Sequence, residues 1–294
     1  MLELKGLNRS FGDRHVLRDV SFAVAPGRMT GFVGGNGAGK TTTMRIILGV
    51  LAANSGTVTL DGRPLTATDR TRFGYMPEER GLYPKMKVAE QTIYLGRLHG
   101  MSTDAATRAT TELLEQLGLA ERANDPIESL SLGNQQRAQI AAALVHDPEV
   151  LILDEPFSGL DPMAVEVVQS VLAGYAARGV PVLFSSHQLD IVERLCDDLV
   201  VIADGQIRAS GSREGLRAQH SGERYELEVA GDAGWLRDEP GIDVLEFDGG
   251  YAVFDATQDG AAQRVLQKAA ASAPVQRFAP KQPSLAQIFK EVIK

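Results

Sequence analysis

An α/β fold with a smaller α+β appendage at its C-terminal end is what this sequence predicts, on three observations. Gly34-Gly35-Asn36-Gly37-Ala38-Gly39-Lys40-Thr41 fits the phosphate-loop pattern G-x-x-x-x-G-K-[ST]. Met29-Thr30-Gly31-Phe32-Val33 before it reads as a short buried strand, and Thr42 to Val50 after it carries apolar residues at helical spacing. Far downstream, Val150-Leu151-Ile152-Leu153 is a continuous apolar run closed by Asp154-Glu155-Pro156. That pattern suits a central parallel strand with carboxylates at its C-terminal end, where open α/β sheets bind ligands, and the proline stops it.

The remaining elements follow from punctuation. Leu2 to Leu7 and Leu17 to Val24 alternate as strands, Pro26-Gly27 turns, and Thr57 to Leu60 with Asp61-Gly62 gives a further strand and turn. Val88 to His99 and Ala105 to Leu117 have helical spacing and end in Gly100 and Gly118, both sensible C-caps. A helix from the Ser131 junction to about His146 precedes the acidic strand, and Val180 to Phe184 is another apolar run. Leu199 to Ala203, Gln206 to Ala209 and a short helix near Ser212 to Gln219 close a first domain of residues 1–219. His220-Ser221-Gly222-Glu223 reads as a linker.

Residues 224–294 then form the appendage. Tyr225 to Val229, Val244 to Phe247, Tyr251 to Phe254 and Val275 to Phe278 read as strands, Ala261 to Ala271 and Ser284 to Ile293 as helices, with a short helix around Trp235. No catalytic constellation lies in this part, which leaves a packing or dimer-supporting role and a regulatory or partner-docking role both open.

Composition bounds the function. The 294 residues, 44% hydrophobic and 23% charged, suffice for one large and one small core. A net charge of -8 offers no basic footprint, so no nucleic-acid partner is expected. Cys196 is the single cysteine, which excludes an internal disulfide, and no Cys/His cluster suggests zinc. The start lacks a basic region followed by an apolar stretch, and no run of about 20 apolar residues occurs, which predicts a soluble, cytoplasmic chain. Work at a membrane would then need another polypeptide to span it.

The motifs carry definite chemistry. Glycines let the backbone N–H groups and the helix N-terminus face phosphates, Lys40 adds a point charge, and Thr41 offers a hydroxyl to magnesium. Of the paired acids, one can serve magnesium through its water shell while the next polarises an attacking water; a solvated acidic turn is the other reading of those two residues alone. In Leu130-Ser131-Leu132-Gly133-Asn134-Gln135-Gln136-Arg137, a serine and a glycine precede a helix. That junction can present donors to an anion or serve as an ordinary N-cap, and the residues alone leave both open.

In the order and spacing of these three motifs, the chain resembles the ATP-binding subunit of an ABC transporter, with Ser131 to Arg137 as the signature motif. The resemblance implies a P-loop NTPase fold of the ABC ATPase type: a mixed sheet core plus a helical subdomain, about 86–146, that grips a transmembrane partner. It implies that ATP lies on Gly34, Gly35, Asn36, Gly37, Ala38, Gly39, Lys40, Thr41 and Thr42, with Ser131 and Gly133 of a second subunit closing over the γ-phosphate. Phe11, in Arg9-Ser10-Phe11-Gly12, is similar to the aromatic that stacks on adenine, although on the residue alone an aromatic plug between strands fits too. Glu155 resembles the general base. His187, at the end of Phe184-Ser185-Ser186-His187, resembles the switch histidine that contacts the γ-phosphate and holds the base's water, with Lys40 completing the catalytic set. Mg2+ is implied on Thr41, Asp154 and Glu78, partly through water. Ser131, Gly133, Asn134 and Asp161, the last in Ser158-Gly159-Leu160-Asp161, fall at the implied dimer interface, in a homodimer or a heterodimer with a sister ATPase. The implied place is the cytoplasmic face of the cell membrane, against a transmembrane permease.

Two departures from the family pattern stand out. Tyr75-Met76-Pro77-Glu78-Glu79-Arg80-Gly81-Leu82-Tyr83-Pro84 has Glu78 where glutamine is usual, and the signature has Leu132 for glycine and Asn134 for glutamine. Both variants resemble the type-2 exporter ATPases related to sodium and drug efflux. A soluble ABC-type ATPase would share every motif, but its translation-type members carry two ATPase halves and its chromosome-type members long heptad insertions, and neither is present. A non-hydrolysing nucleotide-binding regulator is a third reading, against which Glu155 and His187 both count.

Overall fold

A computed structural model describes residues 1–79, 81–220 and 223–292. Arg80 in the 75–84 loop, Ser221 and Gly222 of the expected linker, and Ile293 and Lys294 at the end of the last helix lie outside the described residues. Two compact units result, Met1–Arg213 and Glu214–Val292.

The first unit opens with two long strands, β1 (Leu2–Phe11) and β2 (Arg14–Val24), joined as a hairpin, and β3 (Met29–Val33) follows, buried at every position. The glycine loop then runs into helix α1 (Lys40–Ile47). Next come β4 (Ser55–Leu60), β5 (Arg63–Pro64), the short helix α2 (Ala67–Arg70) and β6 (Phe73–Met76). Three helices form the expected helical stretch: α3 (Val88–Leu98), α4 (Thr103–Gln116), N-capped by Ser102, and α5 (Leu132–Leu144). The chain returns to the core as β7 (Val150–Leu153), α6 (Pro162–Ala177), β8 (Val182–Ser186), α7 (Leu189–Leu195), β9 (Asp198–Ala203) and β10 (Gln206–Ser212).

These strands make two sheets. β2-β1-β4-β5 is antiparallel, and β10-β9-β3-β8-β7-β6 is parallel except at its β10 edge. One core, including Leu4, Leu17, Phe22, Phe32, Met44, Ile47, Ile152 and Leu183, is built from both sheets and α1. This explains the two sequence patterns. β3, β7 and β8 are buried at every residue and read as continuous apolar runs, whereas β2 alternates buried with exposed positions. Sequence-based expectation assigns no element to β6 or α6. Four residues with a glycine are too few to show a period in β6. α6 carries the helix signal plainly: Asp161 caps its N-terminus, Pro162 occupies its first turn, and Val165, Val168 and Leu172 are buried at helical spacing.

The second unit contains α8 (Arg213–His220, from Glu214 on), β11 (Arg224–Val229), a 3-10 turn at Gly234–Asp238, β12 (Ile242–Asp248), β13 (Tyr251–Ala256), α9 (Ala261–Ser272), β14 (Val275–Pro280) and α10 (Leu285–Val292). The division falls before α8, whereas the sequence reading ends the first domain after it. The four strands form an antiparallel sheet in the order β12-β13-β11-β14 over a core of Leu227, Leu236, Phe254 and Val265.

Within the first unit, His99 at the end of α3 stacks on His146 just past α5, with centroids 3.6 Å apart. Their opposite edges donate to the carbonyls of Thr71 (Nδ1 of His99, 2.9 Å) and Phe73 (Nε2 of His146, 3.1 Å), tying the helical stretch to the start of β6. Burial, and then the neighbouring His99, hold His146 down to about 4 from its ordinary 6.5. The folded chain therefore binds a proton at His146 less readily than the unfolded chain does. This contribution to stability is whole above pH 6.5 and is lost as pH falls from there through about 4. His146→Gln keeps an N–H for the Phe73 carbonyl and removes the titration. The drop in melting temperature between pH 7.5 and 5 should be smaller in the variant than in the wild type, and equal drops in differential scanning calorimetry would refute the assignment.

Candidate functional site

Strand order brings the motifs together. β3 pairs in parallel with β8, and β8 with β7, so three neighbouring strands end at the same edge, with Val33 opposite Ser186 and Leu153 opposite Phe184. The glycine loop leaves β3, Asp154 and Glu155 leave β7, and His187 leaves β8. Residues more than 100 positions apart are thereby fixed within hydrogen-bond reach.

The glycine loop needs its glycines. Gly39 caps α1 at φ 112, and a Cβ there would also press on Leu17 Cδ2 at 2.6 Å. A Cβ on Gly34 would run into the Ile202 carbonyl oxygen. Lys40 is buried and donates to the loop's own carbonyls, Gly34 at 2.7 Å and Gly35 at 3.3 Å, so its ammonium lies inside the curve of the loop. Thr41 Oγ1 donates to Asp154 Oδ2 at 2.9 Å, joining loop to acid. Neutral and anionic hard oxygens side by side are the donor set a magnesium ion prefers.

Asp154 and Glu155 differ in what holds them. Asp154 is buried; its other oxygen accepts from Ser185 Oγ, and its N–H donates to the Met76 carbonyl at 2.8 Å. Glu155 has φ 54, left-handed backbone that a non-glycine residue adopts at a cost of order 1 kcal/mol or more. Two neighbours over-determine that conformation. Its N–H donates to Ser185 Oγ at 2.9 Å, and its carbonyl accepts from Gln136 Nε2 at 2.8 Å. The carboxylate then meets His187, whose Nδ1 donates to Oε1 at 2.9 Å. Beyond it Phe157 sits edge-on to Phe184, centroids 5.5 Å apart, a contact worth about 0.5–1.5 kcal/mol beyond area burial that anchors the returning loop.

Among the described residues, the other expected ones make no hydrogen bond to this centre. Phe11 is 48% exposed, with the Arg9 guanidinium 4.5 Å from its ring centroid. It pairs with Arg14 across the hairpin end, and the Arg14 guanidinium approaches Gly37 of the glycine loop. Glu78 is exposed on a loop whose flanking carbonyls, Pro77 and Glu79, accept from Gln139 Nε2 at 2.7 and 3.2 Å. Ser131 is the N-cap of α5, accepting from the Asn134 N–H at 3.4 Å, and Asn134 Oδ1 accepts from Arg137. Gly133 faces the Gly159 carbonyl and Leu160, so the signature and the 158–161 loop lie together, with Leu132 and Met163 exposed beside them.

Three residues that hold the centre are absent from the sequence-based set: Ser185, Gln136 and Gln139. Ser185 after an apolar run and Gln139 in a helix carry no motif of their own, and Gln136, though inside the 131–137 motif, shows nothing there of its bond to Glu155. Ser185 is fully buried and bridges Asp154 to the Glu155 N–H. Ser185→Ala strands both groups, which should cost about 2–4 kcal/mol. In a domain of this size that lowers the melting temperature of the first unit by roughly 5–10 °C. A shift under about 2 °C in a near-UV circular dichroism melt would remove this bridge from the stabilising contacts.

Comparison with known proteins accords with this geometry. The family model described as ABC transporter matches residues 17–158, and the model described as ATP-binding protein DrrA1-3-like, C-terminal domain, matches residues 211–293. The chain is 35% identical over 293 residues to the uncharacterized ABC transporter ATP-binding protein YhaQ of Bacillus subtilis, covering 100% of this chain and 98% of that one. It is 38% identical over 254 residues to the Nod factor export ATP-binding protein I of Paraburkholderia xenovorans, covering 84% and 83%. A solved structure of the ATP binding subunit of an ABC transporter superposes with a TM-score of 0.68 at 33% identity, over 74% of this chain and 92% of that one. A relative matched from end to end at this identity leaves no part of the chain outside the kinship: it belongs to the ATP-binding subunits of ABC transporters, the ATPases of that family.

Proposed function

We propose that this subunit hydrolyses ATP at a composite site and thereby powers an exporter through a separate membrane-spanning permease. The observation that carries the proposal is Glu155: a carboxylate on a left-handed peptide pinned by Ser185 and Gln136, paired with His187, at the strand end beside the glycine loop. A strained backbone held in place by its neighbours fixes where this one carboxylate can go, and fixed placement is what a general base needs.

In this reading the phosphates lie on the backbone of Gly34 to Thr42. Lys40 then exchanges its carbonyl partners for phosphate oxygens, an electrostatic stabilisation preorganised before reaction. Glu155 draws the proton from the attacking water. His187, with Nδ1–H on Glu155, keeps Nε2 for the γ-phosphate side of the site. Thr41 and Asp154, with Glu78 through water, would hold Mg2+, which when bound offsets the negative charge of the phosphates. Phe11 offers an open ring face for adenine. Ser131, Gly133, Asn134 and Asp161 lie on an exposed side where a second ATPase subunit, identical or a sister, would complete the site.

Among the described residues no helix is long and apolar enough to cross a membrane, so another polypeptide would span it. Tyr94 and Leu98 are exposed on α3 and Tyr83 on the loop before it, with Pro84 and Met86 beside Tyr83 and Tyr94, an apolar surface suited to a permease loop. The chain would therefore sit at the cytoplasmic face of the membrane. Export is supported by the Nod factor export relative and by the variant Glu78 loop and signature.

Glu155→Gln should bind ATP, lose hydrolysis by at least about 100-fold, and accumulate as an ATP-bound dimer in size-exclusion chromatography. Turnover within a few-fold of wild type would remove Glu155 from the role of base. Lys40→Ala should lose nucleotide binding itself in a filter or fluorescence titration. Tagged Glu155→Gln purified with ATP from detergent-solubilised membranes should carry a multi-span protein in stoichiometric amount. Recovery only in the soluble fraction would move the chain away from transport.

A further inference from the structure

We infer that Gln139 is a positioning residue for hydrolysis: it fixes the Glu78 loop to the same helix that fixes Glu155. The inference rests on the ATP site proposed above. Gln136 and Gln139 are three residues apart on the buried face of α5, one turn after the Ser131 cap. Gln136 holds the Glu155 carbonyl at 2.8 Å. Gln139 spends its amide N–H groups on the carbonyls of Pro77 and Glu79, the two residues that flank Glu78, at 2.7 and 3.2 Å. A flipped amide would set oxygen against two carbonyl oxygens, so the orientation is determined.

Packing does not account for an amide here. Among the described residues Gln139 Oε1 is buried without a partner, and a methionine or leucine would fill the same space with no orphaned acceptor. The two bonds to the loop are what the amide adds. The signature cap, the carbonyl of Glu155 and both shoulders of Glu78 are thus fastened to one rigid helix, and none of them can shift far without α5. The same loop runs on to Tyr83, Pro84 and Met86 at the exposed apolar surface. Displacement there reaches Glu155 through Gln139, α5 and Gln136.

The test is Gln139→Met in the full chain, near-isosteric and without donors. Loss of two neutral hydrogen bonds that hold the loop should lower kcat about fivefold to tenfold while KM for ATP changes less than about twofold. Amide exchange at Glu78 and Glu79 should quicken, with exchange in the Gly34 to Thr41 loop unchanged. Combined with Gln136→Met, the loss should be less than the product of the two single losses, because both act through one helix. A kcat within about twofold of wild type, or kcat and KM worsening together with faster exchange throughout the first unit, would overturn the inference. Should Gln139→Met fail to fold, Gln139→Glu serves: its acid form donates one bond and its carboxylate none. Its kcat relative to wild type should then rise as pH is lowered from 8 to 6, and a flat ratio would overturn the inference. Glu155→Gln measured alongside separates the two levels. Normal turnover there overturns the site reading and this inference together, whereas an inactive Glu155→Gln with a normal Gln139→Met overturns this inference alone.

Discussion

Parallel pairing of three buried strands, β3 beside β8 beside β7, is the constraint on which the rest depends. Parallel strands end together at one edge, so whatever follows each strand is delivered to the same place. Here the three continuations are a glycine loop, an acidic pair and a histidine. The pairing is specified by burial on both faces: every residue of the three strands is inaccessible, and a one-residue slip would alter each contact with both layers. Stability of the apolar core and alignment of the polar site are thus one requirement.

The polar centre that this alignment builds is tightly coupled. Asp154 and Ser185 are buried, and Lys40 and Glu155 nearly so, in surroundings where an unpaired charge is costly. Each has partners: Lys40 on carbonyls, Asp154 on Thr41 and Ser185, Glu155 on His187. The lysine's partners are weak acceptors compared with a phosphate, so a polyanion in the loop would improve its bonding without requiring the loop to rearrange. Asp154 instead is already matched to two hydroxyls, hard oxygens that with its carboxylate make a donor set suited to a hard cation.

Legibility in the sequence followed the range of the physics. The glycine loop and Asp154-Glu155 stand out in the sequence because their chemistry is written in a few adjacent residues at strand ends, whereas His187 stands out through the family resemblance and its place after an apolar run. The second unit's strands were readable too, since their alternation and turns are local. Gln136, Gln139 and Ser185 were not readable, because a glutamine in a helix acquires its role only when a distant loop packs against it. The positive φ of Glu155 was equally hidden, since nothing in Asp154-Glu155-Pro156 distinguishes a left-handed glutamate from an ordinary strand end. α6 was legible at Asp161-Pro162 and in the apolar spacing after it, and is absent from the expectation because that reading stops at Ser158 to Asp161 as a loop or turn. The end of the first unit is ambiguous for a different reason: α8 is a short polar helix, and the sequence does not say which core its one buried leucine serves.

Capping and phosphate binding at Ser131 need not be alternatives. As the N-cap of α5, the serine oxygen accepts from the Asn134 N–H at 3.4 Å, a long bond that uses a lone pair and leaves the hydroxyl proton free to donate. A phosphate oxygen approaching the helix end from a second subunit could accept that proton while the cap stays intact. Meanwhile the N-terminus of the helix adds the attraction of its dipole for an anion. Leu132 and Met163, exposed beside it, have no polar demand and would add apolar area only once a neighbouring surface covers them. In the proposed composite site, one chain therefore contributes a buried half, already satisfied and aligned, and an exposed half whose donors and apolar surface gain only when another subunit arrives. In that reading the groups offered to a second subunit lie at the start of α5, the helix whose Gln136 holds the carbonyl of Glu155 in the same chain.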